Sequence, residues 1–259
     1  MKFKNILVVY SEKLSRKHFD NLAEVKKRLE GRNFFVLRAD RLIEKYFENI
    51  DLIITVGGDG TFIRAASFVK EIPIIGINSE SEHSEGALLS LDEHDIKFLG
   101  EILDDKHKIK KIPRIKVKIN GKELSNLALN EIYFGSLNQF HTSKYSINFN
   151  GLKEEQRSSG VLVATASGST AWYKSARGRP FKGNKLRFII REPYFGNRIF
   201  NPKLLKGEIK NGGKIIFVSK RHSGGIIALD SNYKYKLEKD DTVEVEMSEY
   251  PLKVITKKL

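Results

Sequence analysis

The stretch Thr55-Val56-Gly57-Gly58-Asp59-Gly60-Thr61 decides how the first half of this chain folds. The residues just before it, 51–54, read Asp-Leu-Ile-Ile, which predicts a buried strand of a parallel sheet. The residues after it carry apolar side chains at helical spacing up to Val69 and predict a helix that ends before Pro73. Three glycines and one aspartate therefore lie where a strand ends and a helix begins, the edge at which open α/β sheets bind ligands.

Asp59 is the unusual member of this turn, because a carboxylate repels the phosphate that glycines and a helix N-terminus otherwise favour. A carboxylate here suits a general base that takes a proton from an attacking hydroxyl, or a group that helps to hold a metal ion. Phosphoryl transfer needs both functions. The alternative is that Asp59 only caps the helix. The glycines on either side of it favour the chemical role.

Composition limits the classes of protein that the chain can represent. Its 259 residues predict one large or two ordinary domains, and the absence of cysteine excludes disulfides, thiolate metal sites and a cysteine nucleophile. The first ten residues are too short an apolar run for a signal peptide, and no run reaches the ~18 residues of a membrane helix. We therefore expect a cytoplasmic protein without a membrane partner. The net charge of +14 favours polyanionic partners such as nucleotides, polyphosphate or nucleic acid.

The first 103 residues alternate apolar strands with helical patterns, which predicts a parallel α/β sheet. We predict strands over 5–10, 34–37, 51–54 and 72–77, and helices over 15–29, 42–47, 61–69 and 91–103. The helix over 15–29 is predicted to bury Phe19, Leu22, Val25 and Leu29. The segment 78–90, named the rim loop here, follows a strand end, so we expect it on the same rim as Asp59.

From about residue 104 the sequence is mostly strand-like. Residues 114–119 alternate strictly, so Ile115, Val117 and Ile119 should face a core while Arg114, Lys116 and Lys118 face water, and Asn120-Gly121 predicts a hairpin turn. Further strands are predicted over 128–134, 145–149, 160–164, 186–190, 214–218, 225–229, 242–247 and 252–256. We predict an α/β domain over residues 1–103 and a β-rich domain over residues 104–259. A return of the C-terminal tail to the first domain is left open.

Two stretches of the second half place polar residues where they need an explanation. Asn130 and Glu131 interrupt an apolar strand, so one of them must point toward the core face, at a cost of ~2–7 kcal/mol if it lacks partners. Residues 165–172, Thr-Ala-Ser-Gly-Ser-Thr-Ala-Trp, follow another strand and leave room for a flat ring or a ribose. Taken alone, each stretch also fits a structural role, as a satisfied polar pair or a Gly/Ser turn.

Taken together, the three stretches resemble the NAD kinase family. The matching motifs are Gly57-Gly58-Asp59-Gly60-Thr61, Asn130-Glu131 and Ser167-Gly168-Ser169-Thr170-Ala171-Trp172, in this order and at these separations. The resemblance runs from the first strand to about Asp230. Details resembling the mitochondrial-type branch of the family are Ser84-Glu85-Gly86, Arg157-Ser158-Ser159-Gly160, Trp172 and Arg191-Glu192-Pro193.

The resemblance implies an α/β domain and a β-sandwich domain with the site between them. Members transfer a phosphoryl group from ATP or polyphosphate to the 2′-hydroxyl of the adenosine ribose of NAD, which gives NADP. Asp59 would accept the hydroxyl proton, and the backbone that meets the donor phosphates would belong to Gly57, Gly58, Gly60 and Thr61. The residues implied to hold NAD are Asn130, Glu131, Ser159, Ser167, Thr170 and Ala171. Mg²⁺ or another divalent cation would come with ATP rather than occupy a protein cage, and a homodimer or homotetramer is expected.

The chain departs from the family pattern at three places. Ser159 stands where many members have aspartate, residues 86–90 read Gly-Ala-Leu-Leu-Ser where members have Gly-His-Leu-Gly-Phe, and Asp230-Ser231 replaces an Asp-Gly pair. These differences leave open how the nicotinamide end is held and whether NADH is also accepted. They do not affect the expected phosphoryl-transfer centre.

Two alternative functions belong to other classes of protein. A lipid kinase of the diacylglycerol or sphingosine kinase type shares the first motif, but Asn130-Glu131 and residues 167–172 argue against it. A non-catalytic nucleic-acid-binding protein would use the +14 charge, yet the sequence lacks a clustered basic face with interleaved aromatics, so we expect no nucleic-acid partner. The sequence contains no P-loop, no dinucleotide-binding fingerprint and no nucleophile elbow. The six histidines lack metal-ligand spacing, so no protein metal site is expected.

Overall fold

The structure, a computed structural model, describes residues 3–12, 15–79, 85–104, 106–138 and 140–257. The chain divides into two compact units, one formed by Met1–Ile112 with Tyr250–Leu259 and the other by Pro113–Glu249. The sequence predicts a boundary between residues 103 and 104. In the structure the division follows Ile112, because the strand His107–Ile112 pairs with the last strand, Leu252–Lys257, in the sheet of the first unit.

The first unit is built on a seven-stranded, mainly parallel sheet. Its strands are β1 (Asn5–Tyr10), β2 (Asn33–Arg38), β3 (Leu52–Gly57), β4 (Ile74–Asn78), β5 (Leu91–Asp92), β6 (His107–Ile112) and β19 (Leu252–Lys257). The spatial order is β2-β1-β3-β4-β19-β6, with β5 beside β4, and β6 is the strand that runs antiparallel to its neighbour. The helices are α1 (Arg16–Arg28), α2 (Asp59–Ala66) and α3 (Leu99–Leu103), with 3₁₀ turns at Ala39–Arg41, Glu44–Phe47 and Glu93–Phe98. The predicted α/β fold with a parallel sheet is confirmed.

Helix α1 differs from the prediction in the face that it buries. The Ser15 side chain caps it by accepting a hydrogen bond from the His18 N–H at 3.1 Å. His18 is fully buried, whereas Phe19 is 48% exposed, so the prediction that Phe19 faces the core is wrong. The inward positions follow the spacing His18, Leu22 and Val25, and a 2.7 Å contact between His18 Nδ1 and Ser79 Oγ accommodates the buried imidazole.

The segment 91–103 is not the single helix that the sequence predicts. Leu91–Asp92 extends beside β4, where Leu91 pairs with Ile77. Asp92 is an N-cap, but it caps the 3₁₀ turn Glu93–Phe98, and α3 follows as a short helix. The strand pairing of Leu91 thus holds the start of the segment in an extended conformation.

The second unit is a sandwich of two six-stranded antiparallel sheets. The first has the order β11-β10-β15-β18-β7-β8 and the second the order β14-β13-β12-β9-β16-β17. The strands are β7 (Ile115–Ile119), β8 (Lys122–Glu123), β9 (Glu131–Gly135), β10 (Ser143–Phe149), β11 (Leu152–Ser158), β12 (Gly160–Ala164), β13 (Leu186–Arg191), β14 (Lys206–Ile209), β15 (Lys214–Ser219), β16 (Gly225–Leu229), β17 (Tyr233–Leu237) and β18 (Thr242–Met247). A 3₁₀ turn over Gly168–Thr170 precedes the short helix α4 (Trp172–Ser175).

One hydrophobic core joins the two sheets of this unit. Alternate side chains of both sheets fill it, for example Val117 and Phe217 from one and Phe134 and Phe188 from the other. The β-rich prediction and the β-sandwich implied by the resemblance are therefore confirmed.

For β7, the prediction of a hairpin turn is correct, but the prediction for the residue that precedes the strand is not. The Asn120-Gly121 turn joins β7 to β8 with φ values of 51° and 78°, as the hairpin signal requires. Arg114, however, is fully buried, and the prediction that it faces water is wrong. It precedes the first residue of β7, so the alternation of that strand does not determine where its side chain points.

The helices of the described ranges are short. None of them is both long enough and apolar enough to cross a lipid bilayer.

Candidate functional site

The Gly57–Thr61 turn of the first unit lies where the sequence predicts it, between a buried strand and a helix. Gly57 ends β3, all of whose residues are buried, and Gly58 is the N-cap of α2. Asp59 is the first residue of the helix and is half-buried, whereas Gly60 is exposed and Thr61 is buried. The glycine-rich backbone and the Asp59 carboxyl are therefore presented together at one end of the sheet.

The Asp59 carboxylate is held by the rim loop. The Ala87 N–H donates to Oδ2 at 3.1 Å and the Leu88 N–H donates to Oδ1 at 3.0 Å. Each oxygen thus accepts one backbone hydrogen bond and keeps capacity for another. Asp59 does not cap the helix with its side chain, since the N-cap position belongs to Gly58 and no side-chain cap bond is made there. The two backbone hydrogen bonds fix the direction of the carboxylate, and both of its oxygens can still accept a further hydrogen bond.

Gly86 gives the described part of the rim loop the shape that presents these two donors. Its φ is +60°, a conformation that residues with a Cβ rarely adopt. A Cβ at this position would lie 2.5 Å from the Nδ2 atom of Asn78. The Leu89 N–H bonds to the Gly86 carbonyl, and the Ser90 N–H bonds to the Gly76 carbonyl, each at 3.0 Å, so the loop is anchored to β4 just beyond Ala87 and Leu88.

Replacing Gly86 with alanine is expected to displace this loop. The positive φ costs a non-glycine residue about 1–2 kcal/mol, and the contact with Asn78 forces a further shift. We expect the turnover number of any reaction that uses the Asp59 carboxylate to fall about tenfold, because the donors to Asp59 move. Gly31→Ala is the matched control: its φ is +78°, but no atom lies within 4 Å of the added Cβ. Steady-state kinetics that give Gly86→Ala the turnover of Gly31→Ala would contradict this role of the loop.

In the second unit, Asn130 and Glu131 lie at the start of β9. Glu131 is its first residue and is 7% exposed, and Asn130, half-buried, precedes it. The Thr165 N–H donates to the Asn130 carbonyl at 2.9 Å, and Thr165 Oγ1 donates to the Leu129 carbonyl at 2.7 Å. The polar pair is therefore placed next to the segment 165–172.

Asp230 organises the backbone that carries this polar pair. Its carboxylate accepts hydrogen bonds from three consecutive N–H groups, those of Leu129, Asn130 and Glu131, at 2.5, 2.8 and 3.0 Å. In return, the Asp230 N–H donates to the Glu131 carbonyl at 3.0 Å. Asp230 lies in the turn that joins β16 to β17, so this turn fixes the backbone of Asn130 and Glu131.

The Asn130 and Glu131 side chains each carry a buried acceptor atom without a partner. Asn130 Oδ1 and Glu131 Oε2 are shielded from solvent and make no hydrogen bond with any residue that the structure describes. Burial, and secondarily the charge of Asp230, raises the pKa of Glu131 to about 8. Burial also raises the pKa of Asp230 to about 6, although its three backbone bonds act in the opposite direction. Unsatisfied buried polar atoms cost about 1–3 kcal/mol each, which makes the Asn130 and Glu131 side chains candidate contacts for a ligand that supplies hydrogen-bond partners.

The segment 165–172 packs against Asn130 through a glycine. A Cβ on Gly168 would lie 2.1 Å from the Asn130 carbonyl oxygen, so only glycine fits there. Ser167 is half-buried beside it, and Thr170 and Ala171 are exposed on the same turn. The structure thus brings Asn130, Glu131 and the turn Ser167–Ala171 together.

Ser159 is not part of this group. It precedes β12, whereas Thr165 follows it, so the strand Gly160–Ala164 separates Ser159 from the turn 167–171 by about 17 Å at the usual rise per residue. Its N–H donates to the Arg191 carbonyl, and its carbonyl accepts from the Tyr133 hydroxyl, each at 2.9 Å.

Comparison with known proteins connects this architecture with one family. The model of the ATP-NAD kinase N-terminal domain matches residues 2–82, and that of the ATP-NAD kinase C-terminal domain matches residues 101–257. The chain belongs to the NAD kinase family. A probable NADH kinase of Oryza sativa subsp. japonica is 32% identical over 232 residues, which cover 80% of this chain and 71% of that relative. An NAD kinase of Pyrococcus abyssi is 32% identical over 205 residues, covering 77% and 71%.

Two solved NAD and NADH kinases have similar structures. The crystal structure of an NAD kinase from Archaeoglobus fulgidus in complex with ATP aligns with a TM-score of 0.74 and 25% identity, covering 98% of this chain and 93% of that one. The crystal structure of yeast NADH kinase complexed with NADH aligns with a TM-score of 0.79 and 16% identity, covering 99% and 84%. At that identity, the likeness to the yeast enzyme shows the fold alone.

For this NAD kinase family member, sequence reasoning missed the groups that support the motif residues. The Ala87 and Leu88 donors are backbone atoms, which no residue pattern reveals. The Asp230-Ser231 pair stands out in the sequence only because Ser231 departs from the family's Asp-Gly, and nothing there indicates that Asp230 binds the backbone of residues 129–131, about 100 positions earlier. Within the described ranges, including this site, no three His, Asp or Glu side chains are grouped so that they could hold a metal ion.

Asp230→Ala is expected to loosen the Asn130-Glu131 backbone. Three N–H groups lose a charged acceptor, so we expect a loss of about 2 kcal/mol in the free energy of unfolding and a tenfold or larger weakening of NAD binding. Asp240→Ala is the control, because this exposed carboxylate forms a surface ion pair with Lys220. Urea unfolding and NAD titration test both effects. Equal results for the two variants would remove Asp230 from its supporting role.

Proposed function

We propose that this NAD kinase transfers the terminal phosphoryl group of ATP, or of polyphosphate, to the 2′-hydroxyl of the adenosine ribose of NAD. In this reaction the 2′-oxygen forms a bond with the terminal phosphorus, and the bond from that phosphorus to the bridging oxygen of the donor breaks. The hydroxyl proton passes to a base, and ADP or a shortened polyphosphate leaves. The product is NADP.

The observation that carries the assignment is the Asp59 carboxylate. It is half-buried at the start of α2 and oriented by the Ala87 and Leu88 N–H groups, and each of its oxygens can accept a further hydrogen bond. A carboxylate held in this way accepts the proton of the attacking hydroxyl without first reorganising. The backbone of Gly57, Gly58, Gly60 and Thr61 is adjacent to it and is the proposed contact for the donor phosphates.

Asn130 and Glu131 are proposed to bind the dinucleotide through its hydroxyl and adenine groups. Their unsatisfied atoms, Asn130 Oδ1 and Glu131 Oε2, require partners of this kind. The turn Ser167–Ala171 adds small side chains beside them, which leave room for a ribose and a flat base. The proposed contribution of Ser159 concerns the nicotinamide end, because it lies at the other end of β12.

We also propose a cation, an assembly state and a cellular location for this chain. A divalent cation, usually Mg²⁺, enters with ATP as part of the substrate and neutralises charge on the transferred group. A homodimer or homotetramer in the cytoplasm is expected from the resemblance, and size-exclusion chromatography with light scattering determines the assembly.

One assay distinguishes this function from the alternatives. The purified chain is incubated with Mg-ATP and either NAD, NADH or diacylglycerol, and NADP, NADPH or phosphatidic acid is quantified. We expect NADP from NAD. Phosphorylation of diacylglycerol without NADP would favour the lipid kinase, and salt-sensitive nucleic-acid binding without either product would favour the non-catalytic alternative.

A further inference from the structure

The face of the second sheet that points away from the sandwich core carries a small cluster of its own. Ile132 and Phe134 of β9 belong to that core. Glu131 and Tyr133 alternate with them along the strand, so both lie on the opposite face. The buried members of the cluster are Tyr133, Leu162 and Ile226, and the partly buried Trp172 packs against them. The Glu131 side chain therefore shares its face of β9 with an aromatic pair, Tyr133 and Trp172.

Two glycines leave room for the Tyr133 ring. A Cβ on Gly135 would overlap the Tyr133 hydroxyl oxygen, and a Cβ on Gly160 would lie 2.5 Å from Tyr133 Cε2. The Tyr133 hydroxyl donates a hydrogen bond to the Ser159 carbonyl at 2.9 Å. Tyr133 is therefore a fixed, buried ring in direct contact with the backbone of β9 and β12.

Trp172 and Arg191 pack together on this ring. The Trp172 and Tyr133 rings are stacked, with centroids 5.5 Å apart and planes inclined by 25°. The central carbon of the Arg191 guanidinium lies 5.1 Å from the Trp172 centroid and 6.0 Å from that of Tyr133. Because these three distances are similar, the cation contacts both rings rather than one of them.

The surroundings of Arg191 favour this cation–π contact. Arg191 ends β13, and its carbonyl accepts a hydrogen bond from the Ser159 N–H at 2.9 Å, so its backbone is fixed. Its side chain is 20% exposed, whereas that of Glu192, 3.6 Å away, is 64% exposed. A partly desolvated cation gains more from an aromatic face than an exposed one does, and a solvated ion pair contributes little. The two rings therefore do more to position this guanidinium than the ion pair with Glu192 does.

The position of Trp172 determines where the turn Ser167–Ala171 ends. Trp172 follows this turn directly and begins α4, which has only four residues and needs packing to be stable. Gly168 fixes the start of the turn through its close contact with Asn130. Trp172 packs the other end onto the Tyr133 ring, so the turn is held at both ends.

We propose that Arg191 is a positioning residue of the NAD site. Its guanidinium holds Trp172 against Tyr133 and thereby fixes the turn Ser167–Ala171, the proposed contact for the adenosine part of NAD. Arg191 acts through Trp172 rather than by contact with NAD. The inference rests on the function proposed above for that turn, and it assigns a role to an arginine that stands outside the three sequence motifs.

Isothermal titration of the full chain with NAD tests this proposal in two variants. Arg191→Met keeps a long apolar side chain but removes the cation, and we expect it to bind NAD about fivefold more weakly. Arg191→Lys keeps a cation over the rings and should recover most of the affinity. Titration with ADP-ribose, which lacks nicotinamide, should show the same loss in Arg191→Met, because the turn contacts the adenosine part. The KM for ATP should not change, since the proposed contacts for the donor belong to the first unit.

A double-mutant cycle with Trp172→Leu separates this role from a general loss of packing. Since Arg191 is proposed to act through Trp172, adding Arg191→Met to Trp172→Leu should weaken NAD binding no further. The fluorescence of Trp172, the single tryptophan of the chain, gives an independent readout. In Arg191→Met the indole loses a covering group, so we expect acrylamide to quench its emission more strongly than in the wild type.

Arg198→Met is the matched control, because it removes the same charge from an exposed position of the same unit. We expect it to match the wild type in NAD binding and in acrylamide quenching. Equal NAD binding by the wild type and Arg191→Met would overturn the inference, as would an undiminished loss in the Trp172→Leu background. A wild type that neither binds NAD nor forms NADP would instead refute the proposed function on which the inference rests.

Discussion

Asp59→Asn is expected to lower the turnover number for NADP formation by ~10²–10⁴, the range of general-base catalysis. An asparagine amide cannot accept the proton of the 2′-hydroxyl. NAD should still bind with nearly unchanged affinity, because its proposed contacts are Asn130, Glu131 and the turn Ser167–Ala171. Steady-state kinetics and equilibrium titration of NAD measure the two quantities independently.

The size of the loss in turnover distinguishes two effects of Asp59→Asn, the loss of a proton acceptor and the loss of a backbone hydrogen bond that orients the side chain. Asparagine keeps one acceptor oxygen, so it loses one of the two backbone bonds from Ala87 and Leu88. A lost bond of about 1 kcal/mol accounts for roughly a fivefold change, far below the expected loss. Asp20→Asn, which removes an exposed carboxylate of the same unit, should behave like the wild type. Near-normal turnover of a folded Asp59→Asn would exclude Asp59 as the base.

Glu131→Gln is expected to make the chain more stable and to weaken its binding of NAD. With a pKa raised to about 8 in the folded state from 4.5, Glu131 keeps its proton while the unfolded chain releases it. Stability therefore falls as the pH rises from 4.5 to 8, the opposite of what an ion-paired carboxylate does. At about 1.4 kcal/mol per pKa unit, the penalty at neutral pH is roughly 3 kcal/mol, and a neutral glutamine removes it.

Urea unfolding at pH 5 and pH 8 measures this effect, followed by the fluorescence of Trp172, the single tryptophan of the chain and a residue of the second unit. We expect the free energy of unfolding of the wild type to drop between the two pH values and that of Glu131→Gln to change much less. Glu155→Gln, an exposed carboxylate of the same unit, should follow the wild type. Parallel pH curves for Glu131→Gln and the wild type would show that the buried carboxyl carries no such penalty.

NAD titration of the same variant tests the proposed binding role. The glutamine retains one oxygen but replaces the other, unsatisfied Oε2 with an amide, so about tenfold weaker binding is expected. Greater stability with weaker binding would indicate that Glu131 is retained for its ligand at the expense of the fold. An unchanged dissociation constant would count against the proposed NAD pocket.

The strands that the sequence predicts are mainly those inside the sheets. Residues 160–164, 225–229 and 242–247 were predicted with the bounds that β12, β16 and β18 have, because interior strands bury apolar side chains at a regular period. The strands that were not predicted include β6, β8, β11, β14 and β17, each at the end of a sheet order. Edge strands bury less and often carry lysine, as in the His-Lys-Ile-Lys-Lys-Ile sequence of β6, so their alternation is weak.

The site was predictable to a different degree in each unit. Asp59 lies at the junction of a strand and a helix as expected, because glycines and apolar periodicity are local signals. The partners that orient it, and the Asp230 carboxylate beneath Asn130-Glu131, depend on contacts between distant segments. The error for Arg114 has a similar origin, since the alternation of a strand does not extend to the residue before it.

The position of β19 has a consequence for synthesis. This strand follows the whole second unit in sequence, yet it lies between β4 and β6 in the first sheet, and among the described residues β6 pairs with no other strand. On the ribosome, the segment that forms the second unit emerges before the first can close its sheet. Until β19 has been synthesised, β6 and the Ile74 end of β4 therefore lack this neighbour, whereas Ile77 and Asn78 of β4 can already pair with β5. Chaperones and proteases have access to these open strand edges during that interval.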